Sequence, residues 1–232
     1  MKAAVVTFPG SNCDDDAFDT LSRLSGFQTQ RVWHKDRVSF AGVELVVLPG
    51  GFSYGDYLRC GAMAALSPVM EGVKEFAANG GLVIGICNGF QILCESRLLP
   101  GTLTFNETQK FICKDVFLRV EQTIAPWTGL MKAGEIVSYP IAHGDGRYWI
   151  DETGLADIEK NGQVLLRYCN AQGQVAKEHN PNGSVANIAG IRNARGNVFG
   201  LMPHPERATE HRSRDGVKLW QSIQTALQGA PA

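Results

Sequence analysis

In the run Gly85-Ile86-Cys87-Asn88-Gly89-Phe90-Gln91, a thiol sits between two glycines where a buried apolar stretch stops and a helical pattern begins. Leu82 to Ile86 reads as a strand, and Phe90, Ile92, Leu93 and Cys94 supply the apolar face of a helix closing near Ser96. Cys87 therefore falls on the sharp turn between them, a nucleophile elbow with cysteine in the nucleophile's place. Glycines two residues before and two after remove the Cβ atoms that would collide when strand and helix approach closely. Unpaired N–H groups at the helix start favour thiolate over thiol. This is the chemistry of attack on a carbonyl carbon; the plainer reading is a buried thiol in a corner of the fold.

Such a nucleophile needs a base to shuttle its proton and a third group to orient that base. Met202-Pro203-His204-Pro205-Glu206-Arg207 offers both. Its two prolines predict extended backbone, which projects His204 and Glu206 to one side, with His204 facing the thiol and Glu206 holding the far imidazole nitrogen. A strand end with an incidental histidine is the bland alternative, and it weakens beside the elbow. Charge developing on a carbonyl oxygen also needs donors already aimed at it. Leu48-Pro49-Gly50-Gly51 follows a buried, parallel-type apolar run from Val43 to Leu48, so Gly51 N–H and Asn88 N–H are the candidate donors. A glycine pair after a strand also marks an ordinary turn.

The elements that position these groups alternate along the chain. Met1 to Phe8 reads as a first strand, ended by Pro9-Gly10, and Asp14, Asp15 and Asp16 open a helix with Ala17, Phe18, Leu21 and Leu24 inward. Dipole-favoured acids at a helix start explain these aspartates better than a metal site does. Ser67 and Pro68 read as N-cap and first residue of a helix with Val69, Val73, Phe76 and Ala77 inward, closing at Gly80-Gly81. This alternation predicts a three-layer α/β fold: a largely parallel, doubly wound sheet with helices on both faces and the site at the carboxyl ends of strands. From Phe111 onward, added antiparallel strands are expected around Val116 to Val120, Val137 to Ile141, Val164 to Tyr168 and Val185 to Ile191. Val217, Trp220, Ile223 and Leu227 mark a last helix with Trp220 in the core, and Gly229 to Ala232 are expected to fray. With no repeat and no convincing linker, residues 1–232 read as a single domain.

With 22 Lys and Arg against 23 Asp and Glu, the net charge is -1, which argues against nucleic acid or an anionic membrane as main partner. The mixed cluster from Arg207 to Arg214, with His211, reads as a solvated face. Six cysteines, at 13, 60, 87, 94, 113 and 169, contain no C-x-x-C pair and no metal spacing with the five histidines; they read as reduced thiols of a cytoplasmic protein. No apolar stretch approaches a membrane span, and there is no G-x-x-x-x-G-K-[ST] loop, so any ATP chemistry is expected on another polypeptide.

Taken together, the elbow cysteine and the His-x-Glu pair resemble the class I, or triad, glutamine amidotransferases, a family with a flavodoxin-like glutaminase domain. The resemblance extends to the glutaminase subunits of phosphoribosylformylglycinamidine synthases, carried by Phe8 to Asp14, Gly50 to Arg59, Ile141 to Gly146 and Met202 to Arg207. At Asp145 that pattern leads one to expect glutamate, so the charge is kept with a shorter reach. The resemblance implies Cys87 as nucleophile, His204 as general base and acid, Glu206 as its orienting group, and Gln91, Gly144 and Asp145 as contacts to glutamine. It implies no cofactor on this chain. A synthetase subunit would use ATP and magnesium to make formylglycinamidine ribonucleotide from formylglycinamide ribonucleotide in purine biosynthesis, with a small third subunit. Two rival readings are a glutaminase serving another amidotransferase, and a non-hydrolytic binding or redox-sensing protein on the same fold.

Overall fold

The computed structural model describes residues 1–24, 26–210 and 213–229. Its first strand, β1 (Lys2–Thr7), leads into α1 (Asp14–Leu24) and β2 (Gln28–Trp33). The chain then runs through β3 (Leu45–Leu48), α2 (Val69–Ala78), β4 (Leu82–Ile86), α3 (Asn88–Glu95), β5 (Thr102–Thr104) and β6 (Ile112–Val120). The second half contains β7 (Ile136–His143), β8 (Arg147–Trp149), α4 (Glu152–Lys160), β9 (Val164–Cys169), β10 (Ile188–Arg192), β11 (Val198–Leu201) and α5 (Gly216–Gly229).

Among the described residues, nine strands form one sheet in the order β2-β1-β3-β4-β11-β10-β9-β6-β7, and β5 pairs with β8 apart from it. The strands from β2 to β11 run parallel to their neighbours; those beyond β11 pair antiparallel. The inner parallel strands β1, β3, β4 and β11 are nearly continuous apolar runs because helices cover both faces. The β1–α1–β2 and β3–α2–β4 crossovers travel in opposite directions along the sheet, and right-handed connections therefore place α1 and α2 on opposite faces. Buried apolar side chains from both halves of the chain join in one core cluster.

Several sequence expectations change in detail. Ser67 does not cap α2: its hydroxyl lies 3.0 Å from the Tyr54 hydroxyl, and the helix begins at Val69 after Pro68. The expected strand from Val185 starts only at Ile188, because Ala186 and Asn187 take positive φ values of 48° and 57° that extended backbone does not allow. The aspartates at the start of α1 are paired with arginines, Asp14 and Asp15 with Arg31 and Asp16 with Arg207. Trp220 is fully buried in the core, as its spacing predicts. Helix α4, held at its start by Asp151 Oδ1 accepting from Gly154 N at 2.7 Å, was not anticipated. The readings placed on His211 and on residues 230–232 lie outside the described residues.

Candidate active site

Four adjacent parallel strands deliver the site residues from their carboxyl ends. Cys13 follows β1, Gly50 and Gly51 follow β3, Cys87 follows β4, and His204 and Glu206 follow β11. The register of β11 against β4, with Leu201 opposite Ile86, brings the His-x-Glu segment beside the elbow.

At the elbow Cys87 has φ 51° and ψ −105°, a conformation that a residue with a Cβ adopts only when its surroundings impose it. Its N–H donates to Leu201 O at 2.8 Å, and its carbonyl accepts from Phe90 and Gln91 as α3 begins. A Cβ on Gly85 would stand 2.6 Å from the carbonyl carbon of Gly89, and one on Gly89 would run into the Leu48 carbonyl. The bracketing glycines thus let strand, helix and neighbouring strand meet around the thiol.

His204 and Glu206 are both buried, and His204 Nδ1 lies 2.6 Å from Glu206 Oε1. The contact is not made through the extended backbone that the prolines predicted. Pro205 to Arg207 form a 3-10 turn, because the proline's fixed φ also suits the first position of a helical turn, and this turn swings Glu206 back onto the imidazole. Burial pulls the His204 pKa down, but the charge of Glu206 and the Cys87 and Cys13 sulfurs outweigh it and hold the imidazolium well above 6.5. Among the described residues Nε2 has no hydrogen-bond partner. The Cys87 sulfur is 3.9 Å from Ala142 O.

The antiparallel half curls back over this centre. Although β7 lies four strands from β11 in the sheet order, His204 N donates to Pro140 O at 2.9 Å. Register irregularities between β9 and β10 add to the bending. Beyond β7, the loop with Gly144 and Asp145 meets α3: Gln91 Nε2 donates to Asp145 O at 2.6 Å, and Gln91 Oε1 accepts from Asn88 Nδ2 at 2.8 Å. The structure therefore brings Gln91, Asn88, Gly144 and Asp145 together, with Gln91 holding the loop by its main chain. Burial raises the Asp145 pKa.

Gly51, with φ 151°, is bridged to Ser11, and Phe52 N donates to Gly10 O at 2.9 Å. Asn88 Oδ1 accepts from Ser53 N at 3.2 Å, which ties the Gly51 segment to the elbow helix. Among the described residues the N–H groups of Gly51 and Asn88 donate to no protein acceptor. They can serve a bound oxygen.

Two residues, and one contact of a glycine already singled out, escaped the sequence reading. Asn106 Nδ2 donates to the carbonyls of Lys110 and His143 at 2.8 and 2.9 Å, so Oδ1 is the atom that accepts from Gly146 N at 3.0 Å. His143 Nδ1, also 3.0 Å from that oxygen, must then carry the proton. Burial, followed by the nearby His204 charge, lowers the His143 pKa to about 4 and keeps the ring neutral. The glycine contact is at Gly50: a Cβ there would sit 2.7 Å from His204 Cε1. The second residue is Cys13, with its sulfur within 4.8 Å of the ligating atoms of His204 and Glu206. Those three donor types would suit a borderline metal ion, but the 2.6 Å hydrogen bond engages the imidazole and carboxylate with each other. A signal for Cys13 was present in the Phe8 to Asp14 block, whereas nothing local in the sequence marks Asn106.

Comparison with known proteins agrees with this arrangement. Residues 1–226 match the CobB/CobQ-like glutamine amidotransferase domain. The chain is 55% identical over 210 residues to phosphoribosylformylglycinamidine synthase subunit PurQ of Rhodopseudomonas palustris, covering 90% of each protein. It is 54% identical over 232 residues to the subunit of the same name in Nitrobacter hamburgensis, covering 99% of this chain and 100% of that one. In the PurLQS structure from Thermotoga maritima, one chain superposes with a TM-score of 0.85 at 46% identity, covering 97% of this chain and 98% of its own length. A strained elbow cysteine, a buried histidine–glutamate pair and these matches together place the chain in the CobB/CobQ-like glutamine amidotransferase family, with the PurQ subunits of phosphoribosylformylglycinamidine synthase.

Proposed function

We propose that this chain hydrolyses glutamine to glutamate and ammonia and supplies the ammonia to a phosphoribosylformylglycinamidine synthase. The observation that carries the chemistry is the 2.6 Å hydrogen bond between His204 and Glu206, buried beside a cysteine held at φ 51°. The identity to the PurQ subunits carries the choice of synthase.

The Cys87 thiolate attacks the side-chain amide carbon of glutamine, and the Gly51 and Asn88 N–H groups hold the negative oxygen. His204, protonated and kept so by Glu206, gives its proton to the departing nitrogen, which leaves as ammonia. The thioester is then attacked by a water molecule whose proton goes to His204; collapse of the second oxyanion frees glutamate and restores the thiolate–imidazolium pair. Gly144 and Asp145 face the amino-acid end of glutamine: a carboxylate suits its ammonium and free main-chain N–H groups suit its carboxylate.

No step of this half-reaction uses a cofactor on this chain; ATP and magnesium belong to the synthetase partner, which converts formylglycinamide ribonucleotide to its amidine. A small third subunit completes the complex. Ammonia is mostly protonated and non-nucleophilic at neutral pH, so a sealed path between the subunits is chemically useful. Purified chain should release glutamate slowly alone and faster with the synthetase subunits, and Cys87→Ala should abolish both rates. Partner-independent turnover would reopen the choice of synthase. A Cys87→Ala chain that remains fully competent in the complex would favour a non-hydrolytic binding role.

A further inference from the structure

Cys13 has no part in the reaction as written, yet its sulfur forms a wall of the site. The segment that carries it, between β1 and α1, is stitched to the Gly51 segment by three main-chain hydrogen bonds: Phe52 N to Gly10 O at 2.9 Å, Tyr54 N to Pro9 O at 2.7 Å, and Cys13 N to Gly50 O at 3.3 Å. Bare Gly50 is where thiol and imidazole meet, since a Cβ on it would stand 3.0 Å from Cys13 Sγ and 2.7 Å from His204 Cε1. The Cys13 thiol donates to Asn12 Oδ1 at 3.2 Å, and its sulfur lies within 4.8 Å of the ligating atoms of His204 and Glu206. Burial pushes this thiol's pKa up, more than the neighbouring His204 lowers it, so Cys13 stays neutral and does not compete with Cys87 as a nucleophile.

We infer that Cys13 is a positioning residue that seats His204 and couples that seat to the Gly51 donor. Glu206 fixes one nitrogen of the ring; a single hydrogen bond leaves the ring free to tilt about it. The Cys13 sulfur and the bare Gly50 surface supply the second and third points of contact. Because Cys13 N is bonded to Gly50 O, a shift of the thiol also moves the peptide that precedes the Gly51 N–H. The segment from Phe8 to Asp14 thus aligns the proton-transfer group with the oxyanion donor, two parts of the site that otherwise arrive on separate strands.

The inference rests on the glutaminase reading only for what the aligned imidazole goes on to do, and its test is chosen to separate the two. The probe is the rate at which iodoacetamide alkylates Cys87 in the whole chain, followed on the Cys87 peptide by mass spectrometry across pH. It is read beside kcat and KM for glutamine with the synthetase subunits present. Loss of the polarizable sulfur beside a charged imidazolium predicts that Cys13→Val slows alkylation and kcat about tenfold while KM changes less than about twofold. The alkaline limb of both profiles should move to lower pH, because the sulfur helps to raise the His204 pKa. Cys13→Ser keeps a polar atom beside the ring and should recover most of the loss. If Cys13→Val does not fold, Cys13→Ala carries the same expectation. A folded apolar variant with wild-type alkylation and pH profile would overturn the inference, as would a serine variant no better than the apolar one. Wild-type chain that never hydrolyses glutamine, yet shows Cys13-dependent alkylation, would defeat the glutaminase reading and leave this one standing.

Discussion

Gly50 seats the imidazole of His204, for a Cβ on residue 50 would stand only 2.7 Å from Cε1. The ring cannot be pushed aside without losing either Glu206 or the approach to Cys87. Gly50→Ala should therefore fold, at a cost of about 1–3 kcal/mol in stability from overpacking. Its kcat for glutamine should drop about a hundredfold from a displacement on the order of 1 Å. Steady-state kinetics beside thermal unfolding would check this, and near-normal kcat would show that the ring position is not critical.

The raised pKa of His204 gives a signed pH dependence. Its folded value lies well above the ordinary 6.5, so its contribution to stability is complete below about 6.5 and fades as pH rises through the folded value. Glu206→Gln removes the carboxylate that raises it. The stability gap between wild type and this variant should be widest around pH 6 and narrow toward alkaline pH, while the alkaline limb of kcat/KM moves to lower pH. Unfolding midpoints and rates measured over the same range would check both, and a limb that stays in place would count against the assigned pair.

His143 should behave with the opposite sign. Its folded pKa of about 4 lies below 6.5, so stability is present above the unfolded value and lost as pH falls from about 6.5 through 4. The full loss is roughly 3 kcal/mol at 1.36 kcal/mol per unit. His143→Asn keeps a donor for Asn106 and removes the titrating ring, so its unfolding midpoint should fall less on acidification than that of wild type.

Two glycines separate fold from substrate binding. Gly89→Ala drives a Cβ into the Leu48 carbonyl, a main-chain atom that cannot step aside, and should destabilise the chain by about 3 kcal/mol or more. A Cβ on Gly144 would meet nothing nearer than the Phe111 ring at 4.0 Å, so Gly144→Ala should keep wild-type stability within about 0.5 kcal/mol. A rise in KM there, with kcat held, would place glutamine against this loop.

The part of the site legible in the sequence is the part that local sterics dictate. Glycines around Cys87, the two-residue spacing of His204 and Glu206, and apolar runs buried on both faces all leave local signatures. The mutual approach of these groups is not local: it depends on β11 inserting beside β4, a strand from far earlier in the chain. Prolines near His204 were read as extending the chain, but one of them starts a turn. Asn106 and His143 act through contacts that exist only once the antiparallel half has folded, and Cys13 through the meeting of the segments that follow β1, β3 and β11. No periodicity in the chain records these contacts.

The central claim is a covalent intermediate on Cys87, and rapid quenching of the chain with glutamine, followed by peptide mapping, tests it directly. The account predicts a glutamyl adduct on the Cys87 peptide that forms and decays during turnover, with neither adduct nor glutamate release in Cys87→Ala. Glutamate released at the wild-type rate by the folded Cys87→Ala chain would contradict it.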